Sequence, residues 1–284
     1  MSAKTPFQPT ATLERSADDA TFQFRTNEEA DAFRKTIYAA GLRWARPICW
    51  HDGDRPFPKD VTGASCFFLR FRDCHIGVTA AHVVRHFQRA KAGTPSLVCQ
   101  VHLMVFDLET ALIDISDDLD IATFSISERD LKISLSDAFD VSSQWPPDDV
   151  VKRDAPIQLV GYPENIRIID PRDRSAVFQA WGAFDFVEDF TEGEILLVYN
   201  PEKVMGAPTK PPLGYNMSGC SGGPAIIHTT RHGLHRWYPA GLITGGPKLG
   251  GGAAADFDMI RVRRIDCVGS DGRIRIAETG WLPT

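Results

Sequence analysis

An all-β fold of two six-stranded antiparallel β-barrels, with a short N-terminal helical extension, is what this sequence predicts. Three observations lead there. Short runs rich in Val, Ile, Leu and Phe recur from Ala64 to Val262, separated by Gly, Pro and Asp turns, which is the pattern of an antiparallel β protein. The stretch Gln144-Trp145-Pro146-Pro147-Asp148-Asp149 reads as a linker by composition and parts those runs into two sets. The clearest helical periodicity lies ahead of the first set.

Taken in order, residues 1 to about 25 read as a loosely held polar arm. Thr26-Asn27-Glu28-Glu29 is a capping box, Ala30, Phe33 and Ile37 share one helical face, and Gly41 ends the pattern. The predicted organisation is therefore an arm and helix over 1–44, a first barrel lobe over 45–143, a linker over 144–155, and a second lobe with its C-terminal tail over 156–284. The first lobe opens with a hairpin, 65–71 and 76–79, turning at Arg72-Asp73. A short helix over 83–89 follows with His82 at its head, then strands over 98–106, 111–115 and 121–127. Strands of the second lobe fall at 156–160, 176–186, 195–199, 225–228, 238–244 and 259–262. Arg273-Ile274-Arg275-Ile276 alternates like a strand and Gly280-Trp281-Leu282-Pro283 is not helical, so the tail is expected to wrap the barrel or meet a partner.

Composition narrows the function classes. Hydrophobic content of 43% and charged content of 24% are ordinary for a soluble globular protein. With 37 acidic and 31 basic residues the net charge is −6, and the densest basic group, Arg261, Arg263 and Arg264, reads as a solvated strand edge rather than a nucleic-acid surface. Met1 to Phe24 lacks a basic segment followed by an apolar core, and no run approaches the roughly eighteen apolar residues of a membrane span. Neither nucleic acid nor membrane is an expected partner. Cys49, Cys66, Cys74, Cys99 and Cys267 read as reduced, mostly buried thiols, which points to the cytoplasm.

No metal or organic cofactor is expected. There is no C-x-x-C pair, His82 and His86 lie one helical turn apart without a glutamate between them, and His228, His232 and His235 read as a surface loop. The glycine-rich run 245–252 lacks the order of a phosphate loop.

Chemistry is concentrated in Gly219-Cys220-Ser221-Gly222-Gly223-Pro224, which fits G-x-S-G-G-P. A serine hydroxyl is a poor nucleophile at its own pKa and needs a base and an anion site. The glycines leave the backbone bare, so the N–H groups of Gly219 and Ser221 can face a substrate carbonyl oxygen with no Cβ in the way. A base and an acid stand upstream. Val78-Thr79-Ala80-Ala81-His82-Val83 passes from β-rich to helical at the histidine, and Leu119-Asp120-Ile121-Ala122-Thr123-Phe124 sets an acid at the head of an apolar strand. Asp114, Asp117 and Asp118 compete with Asp120, but Ile121-Ala122 bury the backbone just after Asp120 and leave its carboxylate facing the cleft. Asp117 and Asp118 read as a solvated loop.

T-A-A-H, D-I-A and G-x-S-G-G-P, in that order, resemble the trypsin/chymotrypsin clan of serine peptidases over about residues 45 to 265. Gly161-Tyr162-Pro163 looks like the equivalent strand in bacterial glutamyl endopeptidases. The resemblance implies an intracellular bacterial endopeptidase acting on polypeptides, with Ser221 as nucleophile, His82 as base and Asp120 as the acid that orients it. Gly219 and Ser221 would form the oxyanion hole. Substrate would meet Tyr215 in the primary pocket and pair along Thr244, Gly245 and Gly246, with Thr244 near Asp120. Tyr215 stands where basic-specific members carry aspartate, and Ile243 where glutamate-specific members carry histidine, so an uncharged side chain is expected at the cleavage site; Asp256 and Asp258 keep a basic one as the minority reading.

Two departures bear on mechanism. Val83 replaces the half-cystine that follows the histidine in secreted animal members. Cys220 replaces the aspartate that receives a newly cut N-terminus in the digestive branch, so control is expected from ordering of the oxyanion loop or from a regulatory protein partner. Cys220 is also a rival nucleophile, but the slot before Gly-Gly-Pro belongs to Ser221 and Cys220 is expected in packing. A catalytically silent protease-fold binding module is the alternative.

Overall fold

The computed structural model describes residues 26–54, 61–146, 151–170, 175–198, 204–205, 217–231, 234–246 and 259–275. Its first part runs α1 (Asn27–Trp44), β1 (Arg46–Asp52), β2 (Thr62–Arg70), β3 (His75–Thr79), α2 (Ala81–Gly93), β4 (Leu97–Val101) and β5 (Met104–Val105). There follow α3 (Leu108–Ala111), β6 (Leu112–Ser116), β7 (Ile121–Ile126), α4 (Glu128–Ile133) and β8 (Phe139–Asp140). The second part opens with β9 (Pro156–Gly161), a 3₁₀ turn at Glu164–Ile166, β10 (Ile168–Asp170), β11 (Ser175–Val177) and β12 (Trp181–Phe186). It continues through β13 (Asp189–Phe190), β14 (Glu194–Val198), β15 (Val204–Met205), β16 (Pro224–Arg231), β17 (Leu234–Gly245) and β18 (Met259–Arg264).

These strands build two large sheets and a separate two-stranded ribbon of β10 and β11. One runs β5-β4-β1-β2-β3-β7-β6 with β8 added beside β2; the other runs β13-β14-β18-β17-β16-β9-β12-β15. Setting aside the two-residue strands β5, β8, β13 and β15, six strands remain in each. The all-β, antiparallel architecture expected from the sequence is what the structure has. The exception in direction is β8, which pairs parallel with β2.

Burial of apolar side chains, the main stabilising force in such layers, gives two cores, and Ile226 of β16 and Leu242 of β17 pack into the first. Phe67, Phe68, Phe87 and Phe124 fill the first core, where Phe68 meets Phe124 edge-on at 6.3 Å between ring centres. Trp181, Ile157, Leu159 and Val262 fill the second. The chain after β18 crosses back. Ile265, Cys267 and Val268 belong to the first core, and Thr123 Oγ1 donates to Gly272 O at 2.6 Å. Asp114 Oδ2 accepts from Ile274 N–H at 2.9 Å, and Trp145 Nε1–H, from the predicted linker, donates to Val268 O at 2.7 Å. Of the strand expected at 273–276, the described residues 273–275 show a single bridge between Val268 and Ile274, with Gly269 N–H donating to Arg273 O and Arg275 N–H to Cys267 O, both at 2.8 Å.

Several expectations change. Thr26 caps α1 as its box predicts, accepting from Glu29 N–H at 3.1 Å, but the helix passes through Gly41 to Trp44. Gly41 is there for close approach: a Cβ would lie 2.4 Å from Gln158 Nε2 and 2.7 Å from Val160 Cγ2 on β9. The side chains of Ala30, Phe33 and Ile37 lie outside the described set. Helix α2 runs on to Gly93, burying Ala81, Val83, Val84 and Phe87 along one face. The strand expected over 98–106 breaks at His102, which takes φ +52, and that over 176–186 breaks between β11 and β12. His228 is not in a surface loop; it is buried on β16 with its ring 4.3 Å from that of Trp237. Arg261, Arg263 and Arg264 sit on β18, an interior strand rather than an edge, where Arg263 pairs with Glu194 at 2.9 Å and Arg264 with Asp266.

Candidate active site

Asp120 is the pivot of the site. It closes a turn whose last N–H, its own, donates to Asp117 O at 3.3 Å, and it takes the left-handed φ of +54. Asp and Asn tolerate that region better than most residues, so an acid can end the turn and still lead directly into β7. Its carboxylate then reaches the start of α2. Ala80, the N-cap of α2, has no capping side chain, and helix N-termini leave several N–H groups without partners. Asp120 Oδ1 accepts one of them, the N–H of His82, at 2.9 Å.

The same carboxylate holds the imidazole. His82 Nδ1 lies 2.8 Å from Oδ2 and 3.0 Å from Oδ1 of Asp120. A carboxylate only accepts, so this contact sets the ring proton on Nδ1 and leaves Nε2 as the lone-pair nitrogen. With His82 about half exposed and Asp120 a quarter exposed, the pair faces solvent on the ring side. Two of the competing acids are engaged elsewhere: Asp117 forks onto Arg85 at 2.9 and 3.0 Å, and Asp114 holds Ile115 N–H and the tail.

Ser221 lies in a loop whose carbonyls are held one after another. Ser218 O accepts from Glu164 N–H at 2.8 Å, and Gly219 O from Ser65 Oγ at 2.8 Å. Cys220 O accepts from Gly223 N–H at 2.9 Å and Ser221 O from Ser65 N–H at 2.9 Å. In a trans peptide the N–H points opposite to its C=O. Fixing the Ser218 carbonyl on Glu164 therefore turns the Gly219 N–H the other way, and fixing that of Cys220 does the same for Ser221. Of the N–H groups between, Cys220 donates to Met217 O and Gly222 to Ile243 O, whereas those of Gly219 and Ser221 have no partner among the described residues.

Glycine is required at two of these positions. Gly219 has φ +95, and a Cβ there would lie 2.6 Å from Tyr162 O. Gly222 has φ +84, and a Cβ there would lie 2.2 Å from Ser65 O and 2.3 Å from Thr79 Oγ1. Gly222 is also 3.1 Å, at that Cβ position, from Ala80 N, so the loop abuts the residues that lead into α2 and His82.

Cys220 is fully buried against Gly161, and burial pushes its thiol pKa well up; the Ser221 side of the turn is partly exposed. The six cysteines form no disulfide, and all but Cys74 are buried. Burial holds the Cys49 and Cys267 thiols at about 12.

Of the residues expected to meet substrate, Tyr215 lies outside the described residues, as do Asp256 and Asp258. Thr244, Gly245 and Gly246 sit at the end of β17, with Met217 packed against Gly246. Thr244 Oγ1 donates to Arg261 O of β18 at 3.4 Å. Sequence reasoning missed Ser65 and Glu164 altogether. A cavity of 690 Å³, lined among others by Phe71, Cys74, Trp145 and Arg275, contains none of the site residues. No group of His, Cys, Asp and Glu among the described residues is arranged to hold a metal ion. No helix of the described residues is long and apolar enough to cross a membrane.

No family model and no curated protein matches the sequence. Among the solved structures similar to it are two at 11% identity. One is the protease Anisep from Arthrobacter nicotinovorans, with a TM-score of 0.40 over 84% of this chain and 93% of that one. The other belongs to work on the Sesbania mosaic virus VPg protein, its coupled folding and binding, with a TM-score of 0.39 over 79% of this chain and 88% of that one. One neighbour is thus a bacterial protease, and likeness at this level carries no argument about chemistry.

Proposed function

We propose that the protein is a serine endopeptidase of the chymotrypsin type that hydrolyses peptide bonds through Ser221, His82 and Asp120. The observation that carries this reading is the double hold of Asp120 on His82, ring and backbone together, which orients an imidazole with Nε2 as its lone-pair nitrogen. Ser221 Oγ attacks the peptide carbonyl while Nε2 of His82 takes its proton, forming the C–O bond of a tetrahedral intermediate. The oxyanion settles on the N–H groups of Gly219 and Ser221. Collapse breaks the C–N bond, and His82 returns the proton to the leaving amine. Water, deprotonated by the same histidine, then cleaves the acyl ester and restores the hydroxyl. Asp120 keeps the proton on Nδ1 and stabilises the imidazolium in both halves.

A polypeptide substrate laid along Thr244–Gly246 would draw affinity from main-chain hydrogen bonds and selectivity from side-chain pockets. Six thiols without a disulfide suit a reducing compartment such as the bacterial cytoplasm.

A fluorophosphonate probe tests the assignment directly. It should label the purified protein on one residue, Ser221, with labelling lost in Ser221→Ala and reduced by on the order of 10⁴ or more in His82→Ala. Labelling that persists in Ser221→Ala and responds to thiol reagents would move the nucleophile to a cysteine; a protein inert in every state would be a silent module.

A further inference from the structure

We propose that Ser65, a first-lobe residue on β2, is the positioning residue that holds the oxyanion pocket in its working shape; this rests on the peptidase reading above. Ser65 is fully buried, and each of its polar groups is used. Its N–H donates to Ser221 O at 2.9 Å, and its Oγ–H to Gly219 O at 2.8 Å. Its Oγ accepts from Tyr162 N–H at 2.9 Å, and its carbonyl accepts from Thr79 Oγ1 at 2.8 Å. One residue thus grips the loop on both sides of Cys220 and ties it to Tyr162, just after β9, and to β3, the strand that leads into α2.

The grip on Gly219 O matters because of what it opposes. The pocket needs the peptide between Ser218 and Gly219 to present its N–H outward, and a glycine backbone rotates easily. Glu164 N–H fixes the carbonyl before Gly219 and Ser65 Oγ fixes the one after it, so neither flanking peptide is left to turn. Around this, Glu164 Oε2 accepts from Ser218 Oγ at 3.1 Å and Arg167 stands 3.6 Å from Oε1. Cys220 has no charge with which to recruit a chain terminus, and its thiol is buried. A neutral serine from the other lobe supplies the order instead. On this account the pocket forms as the two lobes fold together, without a cut in the chain.

The test compares wild type, Ser65→Ala and Ser65→Cys, whose thiol fills the site but donates weakly, with Ser134→Ala as control. Ser134 is equally buried, and its Oγ bonds only within the turn after α4, to Leu131 O and Ser136. Ser65→Ala should lower the second-order rate of fluorophosphonate labelling by about 10² to 10³, the effect of losing an oxyanion donor. Ser65→Cys should fall between it and wild type, and Ser134→Ala should label at the wild-type rate even where it melts lower. Amide hydrogen exchange, read below all the melting temperatures, should quicken in Ser65→Ala at peptides covering 161–164 and 217–222 ahead of the remaining strands. A reactive wild type with equally reactive Ser65 variants, or exchange that quickens evenly over the whole chain, overturns the inference and leaves the peptidase standing. A wild type inert to the probe overturns the peptidase reading, and the inference falls with it.

Discussion

Asp120 does two jobs with one carboxylate, and substitutions separate them. In Asp120→Asn the amide oxygen still accepts from His82 N–H, and asparagine tolerates φ +54 nearly as well as aspartate. Its NH₂ group, though, presents a donor to Nδ1, so the ring proton moves to Nε2, where on the proposed mechanism it would block uptake of the serine proton. We expect turnover or probe labelling to fall by about 10⁴ with the melting temperature almost unchanged. Asp120→Ala should lose the same activity and also about 1 kcal/mol of helix capping. A rate near wild type in Asp120→Asn would remove Asp120 from the mechanism. The pairing of His82 with Asp120 was legible beforehand because a histidine entering a helix and an acid entering a strand are each marked by their neighbours. Ser65 was not. In Ser65-Cys66-Phe67-Phe68 it reads as a strand residue of no special kind, and its importance comes from Gly219, 154 positions away in the chain.

At the scale of elements, most strands were readable from apolar runs bounded by turns, and the misses share a cause. A sequence pattern treats glycine as a stop, but Gly41 lies inside α1 because β9 comes too near for a side chain. Strand β1 carries Pro47 and ends in His51-Asp52, so its pattern is weak; pairing with β2 and β4 on its two sides makes it a strand. Proline fits because its missing N–H needs no partner at the first residues of a strand. Gly41→Ala follows from this packing. In an exposed helix the change would gain about 1 kcal/mol of helix propensity. Here the methyl would fall 2.4 Å from the amide of Gln158 and 2.7 Å from Val160, both buried, so helix and sheet must move apart. The sign should invert: Gly41→Ala should melt below wild type, and a variant that melts higher would show that α1 is not seated on β9 as described.

At the scale of the whole molecule the two large sheets are joined: Ile226 of β16 and Leu242 of β17 pack into the first core. The loop around Ser221 belongs to the second lobe but is gripped by Ser65 of the first, and the chain after β18 returns to the first core. The apolar runs that form the strands were legible in the sequence, but the return was not, because Ile265, Cys267 and Val268 carry no sign of which core they enter. If the return couples the lobes, weakening it should lower the stability of both together. Thr123→Val tests this with little change of shape. The variant loses the hydroxyl that donates to Gly272 O and leaves that buried carbonyl without its partner, at a cost of about 1 to 3 kcal/mol. Thr123 lies on β7, three residues after Asp120, which leads into that strand, so the labelling rate must be read alongside to show that the site survives. Melting followed by tryptophan fluorescence and by far-ultraviolet circular dichroism should give one transition, moved down as a unit and coincident in both signals. Trp50 reports on the first core and Trp181 on the second, so lobes that unfold independently would separate the two curves, and the tail would then be a surface strap rather than a link between them.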